Sequence, residues 1–135
     1  MSNQAAFQFM TPPTLPKIPG FSQLAVVESG RLVFIAGQVA LDASGNPVGK
    51  DDIRAQLKQV FENLNAALTS AGGTFRDIVK WNVYYTDSSH LAAFREIRDE
   101  HIDLKNPPVS TAVQVAGLFR PEFLVEIEAV AVLSK

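Results

Sequence analysis

Two runs, Leu32 to Ala40 (LVFIAGQVA) and Val125 to Leu133 (VEIEAVAVL), are largely apolar on both alternating sets of side chains. Neighbouring residues of a strand point to opposite faces. A sheet built from these runs therefore has two apolar faces and needs two covers. Helices of the same chain can supply one. Further copies of the chain are expected to supply the other.

Helices are legible in the remaining periodicity. Asp51 or Asp52 can accept from free amides at a helix start, and Ile53, Leu57, Val60, Phe61, Leu64 and Leu68 then recur at helical spacing. Gly72-Gly73 closes that helix, because glycine adopts the left-handed conformation without strain. Ile78 to Tyr85 is rich in β-branched and aromatic residues and reads as a strand. Ser88 or Ser89 can cap a second helix with Leu91, Phe94, Ile97 and Ile102 on its apolar stripe, ending before Asn106-Pro107-Pro108. Phe21 to Val27 and Leu32 to Val39 flank Glu28-Ser29-Gly30, a spacing that suits a hairpin. Ser110 to Val115 and Phe123 to Leu133 read as two final strands. The expected order is β-β-α-β-α-β-β, an α+β layer with two helices packed on one face of a mixed sheet.

With 135 residues, 47% of them hydrophobic, the chain suits a single domain over 1–135. Pro12, Pro13, Pro16 and Pro19 make residues 1–20 extended or irregular. The absence of cysteine removes disulfides and thiolate chemistry. Twelve basic against fourteen acidic residues, with no basic run, gives no face for nucleic acid. No window reaches the ~18 apolar residues of a membrane span, so no membrane association is expected and a cytoplasmic protein is the simplest expectation. His90 and His101 have no third ligand at metal spacing, and both read as surface residues. There is no G-x-S-x-G nucleophile motif and no phosphate loop around Gly45, Gly49 and Lys50.

Four stretches carry a resemblance. They are Phe34-Ile35-Ala36-Gly37-Gln38, then Asp77-Ile78-Val79-Lys80 with Val83-Tyr84-Tyr85-Thr86-Asp87, then Pro108-Val109-Ser110-Thr111, and Glu122 to Val132 (EFLVEIEAVAV). In these motifs, and in the Ala71-Gly72-Gly73 helix end, the chain resembles the RidA (YjgF/YER057c/UK114) family. The resemblance implies a chorismate-mutase-like fold assembled as a homotrimer with clefts between subunits. It also implies cofactor-free hydrolysis of reactive enamines or imines, such as 2-aminoacrylate, to keto acids and ammonia. By the same resemblance Glu126 matches the glutamate that positions water, Ala36, Gly37 and Gln38 match the turn lining the cleft, and Phe21 matches a flanking aromatic.

Ser110 stands where the family's deaminases carry an arginine that binds the substrate carboxylate. Serine offers one neutral hydroxyl in place of a planar fork of charged donors. Loss of such an anchor, when buried, costs on the order of 2 to 5 kcal/mol. Little or no 2-aminoacrylate deamination is expected unless another cation substitutes. Arg95 and Arg98 on the second helix are the candidates, with a solvated helix face paired to Glu96, Asp99 and Glu100 as the alternative. Spacing by two places Ser110 and Ala112 on one face, expected to be the face of Glu126. Glu126 itself reads either as a general acid or base with a burial-raised pKa, or as a structural carboxylate. Glu128 shares its face. Two functions stay open, a hydrolase of the enamine or imine type and a non-catalytic trimer that binds a less anionic metabolite.

Overall fold

The computed structural model describes residues 5–134. The elements are β1 (Phe7–Met10), β2 (Leu24–Val27), β3 (Arg31–Gln38), α1 (Ile53–Ala71), β4 (Ile78–Tyr85), α2 (Leu91–Asp99), β5 (Val109–Gln114) and β6 (Val125–Leu133). A four-stranded mixed sheet has the order β3-β6-β4-β5, and β1 pairs with β2 in a separate two-stranded sheet. β4 and β5 are parallel, and the other pairs of named strands are antiparallel.

The expected α+β layer is present, preceded by one strand more than the sequence suggested. Phe7–Met10, inside the segment read as extended or irregular, pairs with β2 from Phe7↔Val27 to Met10↔Leu24. The proposed hairpin between β2 and β3 is therefore incorrect. β3 pairs instead with β6 from Arg31↔Leu133 onward, because nine residues of apolar β6 offer β3 a longer and more buried partner than four-residue β2. Gly30 still makes the corner, at φ +106°, and a side chain there would strike the Leu133 carbonyl.

α1 starts where Asp52 accepts from the Ala55 amide at 3.0 Å, and it ends on left-handed Gly72, whose amide reaches the Leu68 and Thr69 carbonyls. α2 is shorter than its sequence stripe implied. A single 3-10 turn (Ser88–His90) leads into it, capped by Asp87 and not by either serine, with the Ser89 amide donating to the Asp87 carboxylate at 2.8 Å. The helix stops at Asp99, yet Ile102 still packs on the core.

Leu57, Val60, Phe61, Leu64 and Leu68 of α1 and Phe94 of α2 bury against Trp81 and Val83 of β4 and Val125, Ile127, Ala129 and Ala131 of β6. This is the helix face of the sheet. The other face carries Leu32 and Phe34, which are 58% and 76% exposed, along with Lys80, Asn82, Tyr84, Glu126 and Glu128. At its far end Val79, Val130 and Val132 are covered by Ala6, Phe7 and Phe9. Elsewhere that face is open within one chain.

Candidate functional site

The Ala36-Gly37-Gln38 turn is built by a bulge. Ile35 pairs with Ala129 and Gln38 with Ile127, so Ala36 and Gly37 together stand opposite Glu128 alone. The Gln38 side-chain amide donates to the Ala36 carbonyl at 2.9 Å across this bulge. The extra residue brings the Gly37 backbone up to Glu126. A β-carbon on Gly37 would lie 2.8 Å from Cδ of Glu126 and collide with Oε2. A side chain at position 37 would therefore push the end of the Glu126 side chain aside.

Partial burial on the open face raises the pKa of Glu126 above its ordinary value, and the nearby charge of Glu128 adds to the effect. Glu128 has a different setting. The Tyr84 hydroxyl donates to its carboxylate at 2.5 Å, and Asn82 Nδ2 lies 3.5 Å from that hydroxyl. The bond to Glu128 holds the phenol pKa above its usual range. Of the two glutamates, Glu128 is the one tied into the sheet, and Glu126 is left with its carboxylate over backbone. Beside them, Phe34, Ala36, Lys80, Asn82, Glu128 and Val130 line a shallow groove of about 570 Å³.

Tyr84 and Asn82 were missed as members of this cluster. Alternation along β4 would have found them, since Trp81 and Val83 are core residues and the positions between must point to the other face.

Ser110 and Ala112 do not lie where the sequence reading put them. In the parallel ladder Ser110 pairs with Trp81 and Ala112 with Val83, both helix-face residues, whereas Thr111 and Val113 accompany Asn82 and Tyr84. Paired residues of parallel strands point to the same side. Ser110 and Ala112 therefore leave the sheet on the face opposite to Glu126, with β4 between their strands, and two strand spacings amount to about 10 Å. The error came from counting faces within β5 alone, without the register that fixes them.

Phe21 falls on the β5 side. Ser22 bridges Val109 in parallel, its amide donates to the Pro108 carbonyl at 3.1 Å, and its hydroxyl donates to the Pro107 carbonyl at 2.6 Å. Phe21 is consequently half-buried next to the start of β5. Arg98 is 8% exposed and bonded to Asp99. Its guanidinium sits where a Gly20 side chain would be and 5.6 Å from the Phe94 ring centroid. It serves as a buried clamp on the N-terminal segment and is not a free cation of a cleft. Arg95 is exposed on α2 and forms no ion pair among the described residues.

His101 also departs from its surface reading. Its ring lies 4.7 Å from Phe61 and 4.8 Å from Phe75, and Nδ1 is 2.8 Å from the Ile97 carbonyl. Among the described residues no group of three or more His, Cys, Asp or Glu could hold a metal ion. Among the described residues no helix is long and apolar enough to cross a membrane.

One chain thus carries two separated sets, Gly37, Gln38 and Glu126 on the open face and Phe21, Ser110 and Ala112 along the β5 edge. The family described as Endoribonuclease L-PSP matches residues 14–133. A RutC family protein of Pyrococcus horikoshii is 36% identical over 105 residues, spanning 78% of this chain and 82% of that protein. Among solved structures, a Yersinia pestis protein of unknown function from the conserved Rid family superposes with a TM-score of 0.85 at 38% identity, covering 96% of this chain and all of that one. RidA from an Antarctic Psychrobacter superposes at 0.70 with 32% identity, over 96% of this chain and 100% of its own. The chain belongs to the YjgF/RidA family.

Proposed function

We propose that this protein works on a small molecule in a cleft completed between copies of itself, as a cofactor-free hydrolase of an enamine, imine or related reactive metabolite. The observation that carries the reading is the Glu126 carboxylate, seated on Gly37 and raised in pKa on an otherwise open sheet face. A carboxylate so placed can take a proton from water and return it to a leaving amine. The two residue sets on opposite faces require a second copy, whose β5 edge would bring Phe21, Ser110 and Ala112 to the first copy's Glu126. A homotrimer, as in the family resemblance, satisfies that requirement.

Ser110 favours a second reading, a trimer that binds a less anionic metabolite without turning it over. With Arg98 committed to Asp99 and Gly20, Arg95 is the remaining helix candidate for the missing anchor. Either way, activity on 2-aminoacrylate should be weak. The test generates 2-aminoacrylate in situ and follows keto-acid release by the wild type, Glu126→Gln and Ser110→Arg. Acceleration that Glu126→Gln abolishes supports the hydrolase. If Ser110→Arg creates activity where the wild type has none, the cleft is a repurposed deaminase site. If neither protein exceeds the uncatalysed rate, the hydrolase reading of this substrate class fails.

The endoribonuclease in the family's description finds little support in these residues. His101 is held between two phenylalanine rings, and no basic stripe offers a phosphate track. RNA should stay intact over hours with the purified protein.

A further inference from the structure

The N-terminal segment and the loop between α2 and β5 enclose a pocket of about 490 Å³, within the usual range for small-molecule sites. Phe9, Ile18, Phe21 and Leu104 contribute apolar walls. Ile18 and Leu104 are 45% and 55% exposed, so apolar surface faces water where the chain bends around this hollow. The charged residues of the lining are Lys17 and Lys105, and no carboxylate is among them. Neither lysine forms an ion pair among the described residues. The larger groove between α1 and α2 differs in this respect, because there Arg54 and Lys58 share the lining with Glu62 and Glu100, and Arg54 is paired with Glu96 at 2.7 Å.

The walls are held in place before any ligand arrives. Gly20 rests on the Arg98 guanidinium, and Ser22 is locked to the Pro107 and Pro108 carbonyls. The Lys105 amide donates to the Asp103 carboxylate at 3.0 Å, which fixes the turn carrying that lysine. Asp103 also faces Arg76 at 3.7 Å.

We propose that this pocket binds a small carboxylate carried on an apolar or aromatic skeleton, with Lys17 and Lys105 attracting the anion and Phe9 and Phe21 flanking the skeleton. Phe21 belongs to both this pocket and the proposed cleft. The assignment stands apart from the cleft reading otherwise, since neither Ser110 nor Glu126 lines this pocket.

Titration of the full-length protein with 3-phenylpropionate and with its uncharged amide, followed by amide chemical shifts at low salt, tests the assignment. The acid should bind about tenfold more tightly than the amide, shifting residues around Phe21 and Lys105. Lys17→Ala/Lys105→Ala should remove that preference, and Lys105→Arg should keep it. Both lysines are exposed, so these variants retain the fold. Equal binding of acid and amide, an unchanged preference in the double alanine variant, or no binding of either compound at millimolar concentration would overturn it. Repeating the titration in Glu126→Gln separates the two readings, because binding should persist there whatever happens to hydrolysis.

Discussion

At the scale of single residues, the contact between Gly37 and Glu126 makes the sharpest claim. Gly37→Ala introduces a β-carbon into space held by the carboxylate, and the end of a flexible side chain yields before the backbone does. Hydrolytic kcat/KM should fall by about tenfold or more, since displacing a catalytic group by an ångström is costly. Stability should change by less than about 1 kcal/mol, because Gly37 needs no positive φ and thermal melting can check this. The charge on Glu126 gives a second prediction. A general base must be deprotonated, so activity should rise with pH through the Glu126 pKa, which lies above the ordinary carboxylate value. Glu128→Gln removes one of the two causes of that elevation, and the acid limb of the pH-rate profile should move to lower pH. An acid limb that stays in place in Glu128→Gln would mean that the titrating group is not Glu126. The glutamate, the glycine and the serine were all visible in the sequence. Their faces were not, since alternation says which residues share a side of one strand and is silent about which side the next strand presents.

At the scale of elements, the sequence revealed α1, β4 and β6 because each has a strong periodicity and a clear stop, such as Asp52 and Gly72 for α1. The pairing of β2 was not legible, because β1 and β3 compete for it and the winner is decided by what β6 offers β3. The sequence also concealed the role of Gln56. This side chain is 1% exposed on α1, donates to the Gly49 and Glu122 carbonyls at 3.0 and 2.8 Å, and accepts from the Leu124 amide at 2.9 Å. It joins the entry loop of α1 to the start of the strand carrying Glu126. A glutamine inside a helical apolar stripe gives no hint of partners 66 and 68 residues away. Gln56→Leu keeps the volume but strands one buried amide and two carbonyls, so it should destabilise the protein by about 2 to 4 kcal/mol. Denaturant unfolding measures the loss, and hydrogen exchange at the Leu124 amide should accelerate more than exchange in the middle of β6. Uniform acceleration along β6 would place the effect in global stability and not in this local tie.

At the scale of the whole molecule, the expectation that the sheet needs two covers is met on one face only. α1 and α2 cover the side of Trp81, Val83 and Ile127, and the β1-β2 sheet reaches only the Val79 and Val132 end of the other. What remains includes Phe34 at 76% exposure and Leu32 at 58%, in front of Glu126 and Glu128. Apolar side chains projecting from the open face of a sheet mark an interface. The proposed trimer covers them and also brings the two halves of the cleft together, so assembly and activity should be lost together. Sedimentation at micromolar concentration should give a mass near three times the 14.7 kDa chain. Phe34→Glu places a third carboxylate on the face that already bears Glu126 and Glu128, and like charges without partners oppose burial. That variant should sediment as a monomer and lose cleft activity. Its far-UV spectrum should persist, because so exposed a side chain contributes little to the packing of its own chain. A wild-type monomer that still hydrolyses an imine would require Glu126 to act without Phe21 and Ser110, and the site would then have to be sought on the open face alone, around Lys80, Asn82 and Tyr84.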